Sequence, residues 1–373
     1  DDTALMIYTS GSTGRPKGAM ISWGNLHAAA PGLIELLQAD DRGSSLSYLP
    51  LCHVAEQAVT NIAPVYAGSS VSFGESLRTV QEDLREIAPT FFLGVPRIWE
   101  KLHSSIYIKI QETGRFRRVL FDWAIRACSP MATKSRAQWS LKEKGLYSLS
   151  YWLVFRALQN FIGLRRCTIA MTGAAPISSG ILEFFRTIGV PLLEVYGQTE
   201  STGVATAQPV DDVQLGTVGV AIAGVEVKLG DHNEIIMRGG SMFKGYYKSD
   251  EATASTLKDG WLHTGDVGEW RDGQLKIVDR LKDIMITAGG KNLSPTEIEN
   301  TIKASPYIKE CIVIGEARKY VSALIQIDFD TVAKCAEQAR IAYTTFRRLT
   351  SQVKVIELLP TEVIKCNDPS TKA

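Results

Sequence analysis

A chain of 373 residues exceeds one ordinary core and fits two or three domains at roughly 100–200 residues each. Hydrophobic residues make up 45% and charged residues 22%, the balance of a soluble globular protein with a sizeable interior. With 41 basic and 40 acidic residues the net charge is +1, so bulk electrostatics point away from a nucleic-acid partner.

In chain order, short apolar segments alternate with amphipathic ones, the pattern of an α/β fold. "ALMIYTS" reads as a strand running into a turn. "LSYLPL", "SSVSF", "PTFFLGVP", "CTIAMTGA" and "PLLEVYGQT" read as further strands of a largely buried sheet, with helices such as "TVQEDLREI" and "SSGILEFFRTIG" between them. The stretch "GLYSLSYWLVFRALQNFIGLRR", flanked by Lys142, Lys144, Arg165 and Arg166, is a helix packed in a core or one facing a lipid surface or a greasy pocket mouth. From about Gly219 short alternating strands joined by Gly and Asp turns take over. "SPTEIENTIKAS" starts a helix with Ser294 as N-cap, Pro295 first and Glu297 three residues after the cap; the strand "ECIVIGE" follows.

The cysteines (Cys52, Cys128, Cys167, Cys311, Cys335, Cys366) are scattered without a CxxC pair, as in a reduced, cytosolic setting rather than a disulfide scaffold. No apolar run approaches the ~20 residues of a membrane span, and no signal peptide is visible. The opening "DDTALMIYTSGS" has no initiator Met and enters a strand at once, so an N-terminal portion is expected to be missing.

The stretch "IYTSGSTGRPKGAMIS", Ile7 to Ser22, has the make-up of a polyphosphate loop: glycine-freed amides, hydroxyls and the Lys17 cation. It is not a Walker loop, since "STGRPKG" follows Gly11, and Pro16 before Lys17 disfavours an immediate helix. It lacks the GxGxxG of a dinucleotide site. Downstream stand "VYGQTES" (Val195–Ser201), "GWLHTGDVGEW" (Gly260–Trp270) and "VDRLKDIMITAGGKNLSPTEIE" (Val278–Glu299).

In this order and spacing the four motifs resemble the adenylate-forming superfamily of acyl-CoA synthetases, luciferases and adenylation domains, over nearly the whole chain. "LSYLPLCHVAEQ", "GVPRIWEKL" and "ITAGGKNLSP" are similar to the long-chain fatty acyl-CoA synthetase branch. The resemblance implies a large domain with a mostly parallel sheet (residues 1–218), its β-rich subdomain (219–280) and a small, mobile α+β C-terminal domain (281–373). It implies that a fatty acid carboxylate attacks the α-phosphate of MgATP, giving acyl-AMP and pyrophosphate, after which coenzyme A displaces AMP to form a thioester.

By the same resemblance Thr9, Ser10, Gly11, Ser12, Thr13, Gly14 and Lys17 form the loop over the β- and γ-phosphates. Tyr196 stacks on adenine beside Gly197 and Gln198, Thr199 meets the α-phosphate, and Glu200 holds Mg²⁺, a hard cation suited to carboxylate oxygens. Asp266 and Arg280 bind the ribose, while Gly173 and Ala174 line the adenine and acyl groove. His53 gates the acyl carboxylate, Lys282 is the domain hinge, and Gly289, Gly290 and Lys291 line the pantetheine channel.

Two departures stand out. The subdomain that precedes the phosphate loop in the family is absent, and "FRRLTSQVKVIELLP" runs from a helix straight into what resembles a later strand. The adenylation lysine that follows that strand is matched by Lys372, with Lys365 as second candidate. Other readings are a CoA ligase for another carboxylate class, a fatty acyl-AMP ligase serving a carrier protein, and a nucleotide-binding regulatory module. Expected partners are fatty acid, ATP and CoA in the cytoplasm; peripheral contact with the inner face of a membrane, and monomer or homodimer, are left open.

Overall fold

The computed structural model describes residues 2–9, 16–281, 283–290, 292–339 and 341–367. Strands β1 (Thr3–Thr9) and β2 (Lys17–Ser22) pair antiparallel, with Thr9 opposite Lys17. Ser22 closes β2 and caps the helix Trp23–Leu37. Its hydroxyl accepts from the Asn25 amide, and the Asn25 side chain accepts from the Ser22 amide.

Seven strands follow: β3 (Ser44–Ser47), β4 (Ser70–Phe73), β5 (Phe91–Gly94), β6 (Ile169–Thr172), β7 (Leu192–Gln198), β8 (Gly203–Ala207) and β9 (Val220–Ala221). They form one sheet in the order β4-β3-β5-β6-β7-β8-β9, parallel through β7 and antiparallel thereafter. FFLG, IAMT and LLEVY in β5, β6 and β7 are the near-continuous apolar runs of strands covered on both faces. Trp99 anchors the core here, fully buried edge-on to Phe92 and Phe185 at 5.5 and 4.9 Å between ring centroids. Its Nε1 donates to the carbonyls of Gly94 and Met171, at 2.9 and 3.3 Å, which ties the carboxyl ends of β5 and β6 together. Those ends are where open parallel sheets bind their ligands.

Next come β10 (Val225–Leu229), β11 (Glu234–Gly239), β12 (Gly245–Tyr246), β13 (Leu257–Lys258), β14 (Trp261–Arg271) and β15 (Gln274–Arg280). β12 joins the opening hairpin beside β2, with Tyr246 opposite Ala19. The other five make an antiparallel sheet over Ile235, Met237, Leu262 and Leu275. Last is a small α+β unit. β16 (Met285–Ile286) pairs with β17 (Asn292–Leu293), and β18 (Ile308–Ile314) with β19 (Ser322–Ile327). The helices Pro295–Lys303, Phe329–Gln338 and Val353–Asn367 pack with them, and Ser294 caps the first as expected.

Two segments differ from expectation or refine it. "VKVIELLP" is not a strand but lies in the helix Val353–Asn367. Val355, Leu359 and Val363 recur every four residues and meet the C-terminal apolar clusters, so the helical period outweighs the β-branched residues. The aromatic stretch forms the helix Leu141–Ser150, a π-turn Tyr151–Phe155 and the helix Arg156–Phe161. Val154, Phe155 and Leu158 are buried on one side, while Leu149, Trp152 and Leu153 face outward. Among the described residues, Cys52, Cys128, Cys167, Cys311 and Cys335 are free thiols and no helix is long and apolar enough to cross a membrane.

Candidate active site

A cleft of about 1610 Å³ opens at the carboxyl ends of β5, β6 and β7, between the large sheet, the opening hairpin and β14. Thr9 and Lys17 line it at the mouth of the hairpin. The remaining residues expected over the phosphates, Ser10, Gly11, Ser12, Thr13 and Gly14, lie outside the described residues, as do Lys282, Lys291 and Lys372.

Opposite the hairpin, β7 ends in a tight turn, Thr199–Ser201. The turn requires Gly197, because a Cβ there would meet the Gly203 carbonyl oxygen at 1.8 Å. Thr202 adopts a left-handed conformation at φ 61°, and its hydroxyl donates to the Ser241 carbonyl at 2.5 Å. Glu200 is held from both ends. Its carbonyl accepts from the Phe243 amide at 2.8 Å, and its Oε1 accepts from the Tyr246 hydroxyl at 2.6 Å. The Lys17 ammonium sits 5.3 Å from the centre of the Tyr246 ring. Burial, then the adjoining Glu200 charge, pushes the Tyr246 hydroxyl far above the ordinary phenol range, so it is a donor at every physiological pH.

Asp266 joins the two sheets. Its Oδ2 accepts from the Tyr196 hydroxyl at 2.6 Å and from Gln198 Nε2 at 2.8 Å, and Arg280 Nε lies 3.7 Å from Oδ1. Burial raises the Asp266 carboxyl above its usual range, against the opposing pull of Tyr196, Arg280 and Gln198. Tyr196 is 8% exposed, and the cleft wall beside it is made by Val195, Gly197 and Gln198. Arg280 pairs across the β14–β15 ladder with Asp266 and leaves 76% of its side chain accessible.

Gly173 and Ala174 line the cleft just after β6. A Cβ on Gly173 would sit 2.9 Å from the Val195 carbonyl oxygen, and Ala174 takes a left-handed φ of 68°. His53 is exposed at the start of the helix Val54–Gln57 and also lines the cleft. Ala58, Val59, Leu93, Ile98, Met171 and Ile181 add an apolar lining. His103 faces the same cleft from among the rings of Tyr107 and Phe184, and burial drops its pKa to about 4, so it is neutral.

The C-terminal unit closes one side with Lys303, Ser305, Pro306 and Lys309. Lys334 Nζ meets Glu112 at 2.6 Å, and Arg97 approaches Glu310 at 3.6 Å, both across to the helix Pro96–Gln111 and its end. Gly289 and Gly290 form an exposed turn that does not line this cleft. Lys365 lies in the helix Val353–Asn367 with its ammonium 2.7 Å from Glu362.

Sequence reading missed two features. Tyr246 comes from an unassigned "GYYKSDEAT", and nothing in its spacing ties it to Glu200, which precedes it by 46 residues. His263, inside the "GWLHTGD" motif, meets Glu234 through Nδ1 at 2.7 Å. Glu234 also accepts from the Gly265 amide at 2.9 Å, so one carboxylate fixes the left-handed turn that delivers Asp266.

Thr9 and Lys17 of the opening hairpin, Glu200 on the β7 turn and the buried Asp266 thus line one cleft at the carboxyl ends of a parallel sheet, the place where α/β enzymes bind their ligands. The chain belongs to the AMP-binding enzyme family: the family's profile matches residues 1–247, and that of the AMP-binding enzyme C-terminal domain matches residues 282–357. It is 36% identical over 344 residues to a Mycobacterium tuberculosis protein provisionally named fatty-acid–CoA ligase fadD11, covering 91% of this chain and 60% of that one. It is 36% identical over 340 residues to a long-chain-fatty-acid–CoA ligase of Gallus gallus, covering 86% and 44%. The chain thus spans about half of the length of these curated relatives. The crystal structure of ATP-bound MatB from Rhodopseudomonas palustris superposes with a TM-score of 0.64 at 26% identity, covering 88% of this chain and 58% of that one.

Proposed function

We propose that this chain carries the adenylate-forming centre of a long-chain fatty acid–CoA ligase. The observation that carries the reading is the single cleft that collects Thr9 and Lys17 from the hairpin, Thr199 and Glu200 from the β7 turn, and Asp266 with Arg280. The names of the curated relatives support the fatty acid, and the apolar lining around Val59, Leu93, Ile98 and Met171 suits an alkyl chain.

In the first half-reaction a carboxylate oxygen bonds to the α-phosphorus of ATP as the bond to pyrophosphate breaks. In the second, the CoA thiol attacks the acyl carbon, AMP leaves with the bonding pair, and the thiol proton is lost. A carboxylate is a poor electrophile, so its conversion to a mixed anhydride supplies the leaving group. Positioning and charge stabilisation around the phosphates should supply most of the rate.

On this reading the Thr9–Lys17 loop, including Ser10, Gly11, Ser12, Thr13 and Gly14, covers the β- and γ-phosphates, and Thr199 meets the α-phosphate. Asp266 and Arg280 take the ribose, Tyr196 the adenine, and Gly173, Ala174 and His53 the acyl end. Mg²⁺ fits Glu200: it lines the cleft, Tyr246 occupies Oε1, and Oε2 has no hydrogen-bond partner among the described residues. Bound there, the ion would neutralise phosphate charge. Lys372 as adenylation lysine, Lys282 as hinge and Gly289, Gly290 and Lys291 as pantetheine channel complete the proposal.

The test is pyrophosphate release by the full-length protein with palmitate, ATP and Mg²⁺, followed by addition of CoA. Thioester formation supports the ligase. Acyl-AMP that accumulates without thioester would assign a carrier-protein acceptor, and release with shorter or aryl acids alone would move the substrate class. No release with any acid would leave a nucleotide-binding module.

A further inference from the structure

The charge of this chain is strongly segregated. Residues 115–166 hold eleven Lys and Arg against two acidic residues, Asp122 and Glu143, in a chain whose net charge is only +1. One of the two acids is already neutralised, since Glu143 pairs with Lys134 at 2.9 Å and caps Ser140. Arg115, Arg117, Arg126, Lys142 and Lys144 make no ion pair among the described residues.

The same segment exposes large apolar side chains. On the helix Arg115–Cys128, Phe116, Val119 and Trp123 fall on one stripe, opposite the side that buries Phe121 and Ala124; Phe116 is 79% exposed. The helix Leu141–Ser150 packs beside it and exposes Leu141 (87%) and Leu149, continued by Trp152 (64%) and Leu153 on the π-turn. Arg156 Cζ lies over the Trp152 ring, 4.8 Å from its centre, and the indole is still exposed.

We propose that these two helices form a docking surface for an anionic lipid bilayer. Exposed leucines, Phe and Trp ringed by unpaired Lys and Arg match the interfacial pattern, with apolar groups entering the acyl boundary and cations meeting headgroup phosphates. Nucleic acid would use the cations and could stack on Trp, but it gives Leu141, Leu149, Leu153 and Val119 no apolar phase. The segment's excess of basic over acidic side chains, eleven against two, favours a partner that is anionic throughout, as a headgroup layer is. Other exposed apolar residues, such as Val65 and Phe73, lie outside the basic segment and carry no such argument. The inference rests on charge and exposure alone and stands whether or not the proposed ligase activity holds.

The experiment is co-sedimentation of the 373-residue chain with phosphatidylcholine vesicles, with and without phosphatidylglycerol, at low and high salt. Binding should be at least about tenfold tighter to the anionic vesicles and should weaken with salt. The combined variant Arg115→Ser, Arg117→Ser, Lys142→Ser, Lys144→Ser should lose on the order of several hundredfold, taking roughly a fivefold loss for each of the four basic residues. These positions are exposed, so an unchanged thermal unfolding midpoint and unchanged ATP binding serve as folding controls. Trp fluorescence should be quenched by brominated acyl chains in the wild type and less so in Trp152→Phe, which separates insertion from charge attraction. Equal binding to neutral and anionic vesicles, anionic binding unchanged in the combined variant, or tighter binding to single-stranded nucleic acid than to vesicles would each overturn the proposal.

Discussion

The Tyr246 hydroxyl donates to Glu200 Oε1 at 2.6 Å, from a strand that is itself hydrogen-bonded to β2 of the opening hairpin. The carboxylate proposed to hold Mg²⁺ is therefore aimed by a residue on the same small sheet as Lys17. Tyr246→Phe keeps the ring packed on Phe243, 4.8 Å away between centroids, and removes only the donor. A hydrogen bond to a charged group is worth about 1.5–3 kcal/mol. Acyl-AMP formation should fall roughly tenfold to a hundredfold, with a higher half-saturating Mg²⁺ concentration, and Glu200→Gln should fall further. Unchanged Mg²⁺ dependence in Tyr246→Phe would remove Tyr246 from this role.

Glu234 receives both His263 Nδ1 and the Gly265 amide, and so sets the turn that presents Asp266. Glu234→Ala should raise the KM for ATP by roughly tenfold or more, on the scale of one hydrogen bond to a charged group, with a smaller change in kcat. Steady-state kinetics at saturating acid and CoA read the split directly. A loss confined to kcat would contradict a positioning role toward the nucleotide.

Glu194 in β7 is buried, and burial pushes its carboxyl up to about 8 against the opposing Ile177 amide. A carboxyl raised from 4.5 in this way holds its proton in the folded chain over a range where the unfolded chain has released it. Its contribution is complete below the unfolded value and is lost as pH rises through the folded one. The wild type should lose a few kcal/mol of stability between about pH 4.5 and 8 that Glu194→Gln does not lose. Urea midpoints of both proteins across that window check it; parallel pH profiles would show that Glu194 is ionised in the fold.

Gly197 has the Gly203 carbonyl oxygen 1.8 Å from where a Cβ would be, a backbone clash no side-chain rotation relieves. Gly197→Ala should cost about 3 kcal/mol or more, at the upper end of overpacking penalties. Gly114→Ala, in open space, should be near neutral by the same denaturant titration. Equal midpoints for the two variants would mean that the β7 turn is looser than its geometry.

The motifs were readable because each is a local device: a hairpin mouth, a glycine-dependent strand end, a ladder position. Their convergence was not readable from spacing, since it depends on β12 leaving its neighbours in sequence to pair with β2, and on the Phe243 amide reaching back to Glu200. Tyr246 and Glu234 escaped notice for the same reason, because their partners are remote and their own surroundings in sequence are ordinary. The C-terminal helix was misjudged because the Val and Ile of "VKVI" favour a strand locally, while the facing cluster at Val355 and Leu359 decides for a helix.

Asp266 sits on β14, yet both of its short hydrogen bonds come from β7 of the other sheet. One carboxylate is thus a rivet through the seam between two layers. Anything that loads it with further donors, as a ribose would, tightens that joint as well as filling the cavity. Occupancy should therefore register as a rise in melting temperature that grows with nucleotide concentration, and heat would report saturation without any turnover.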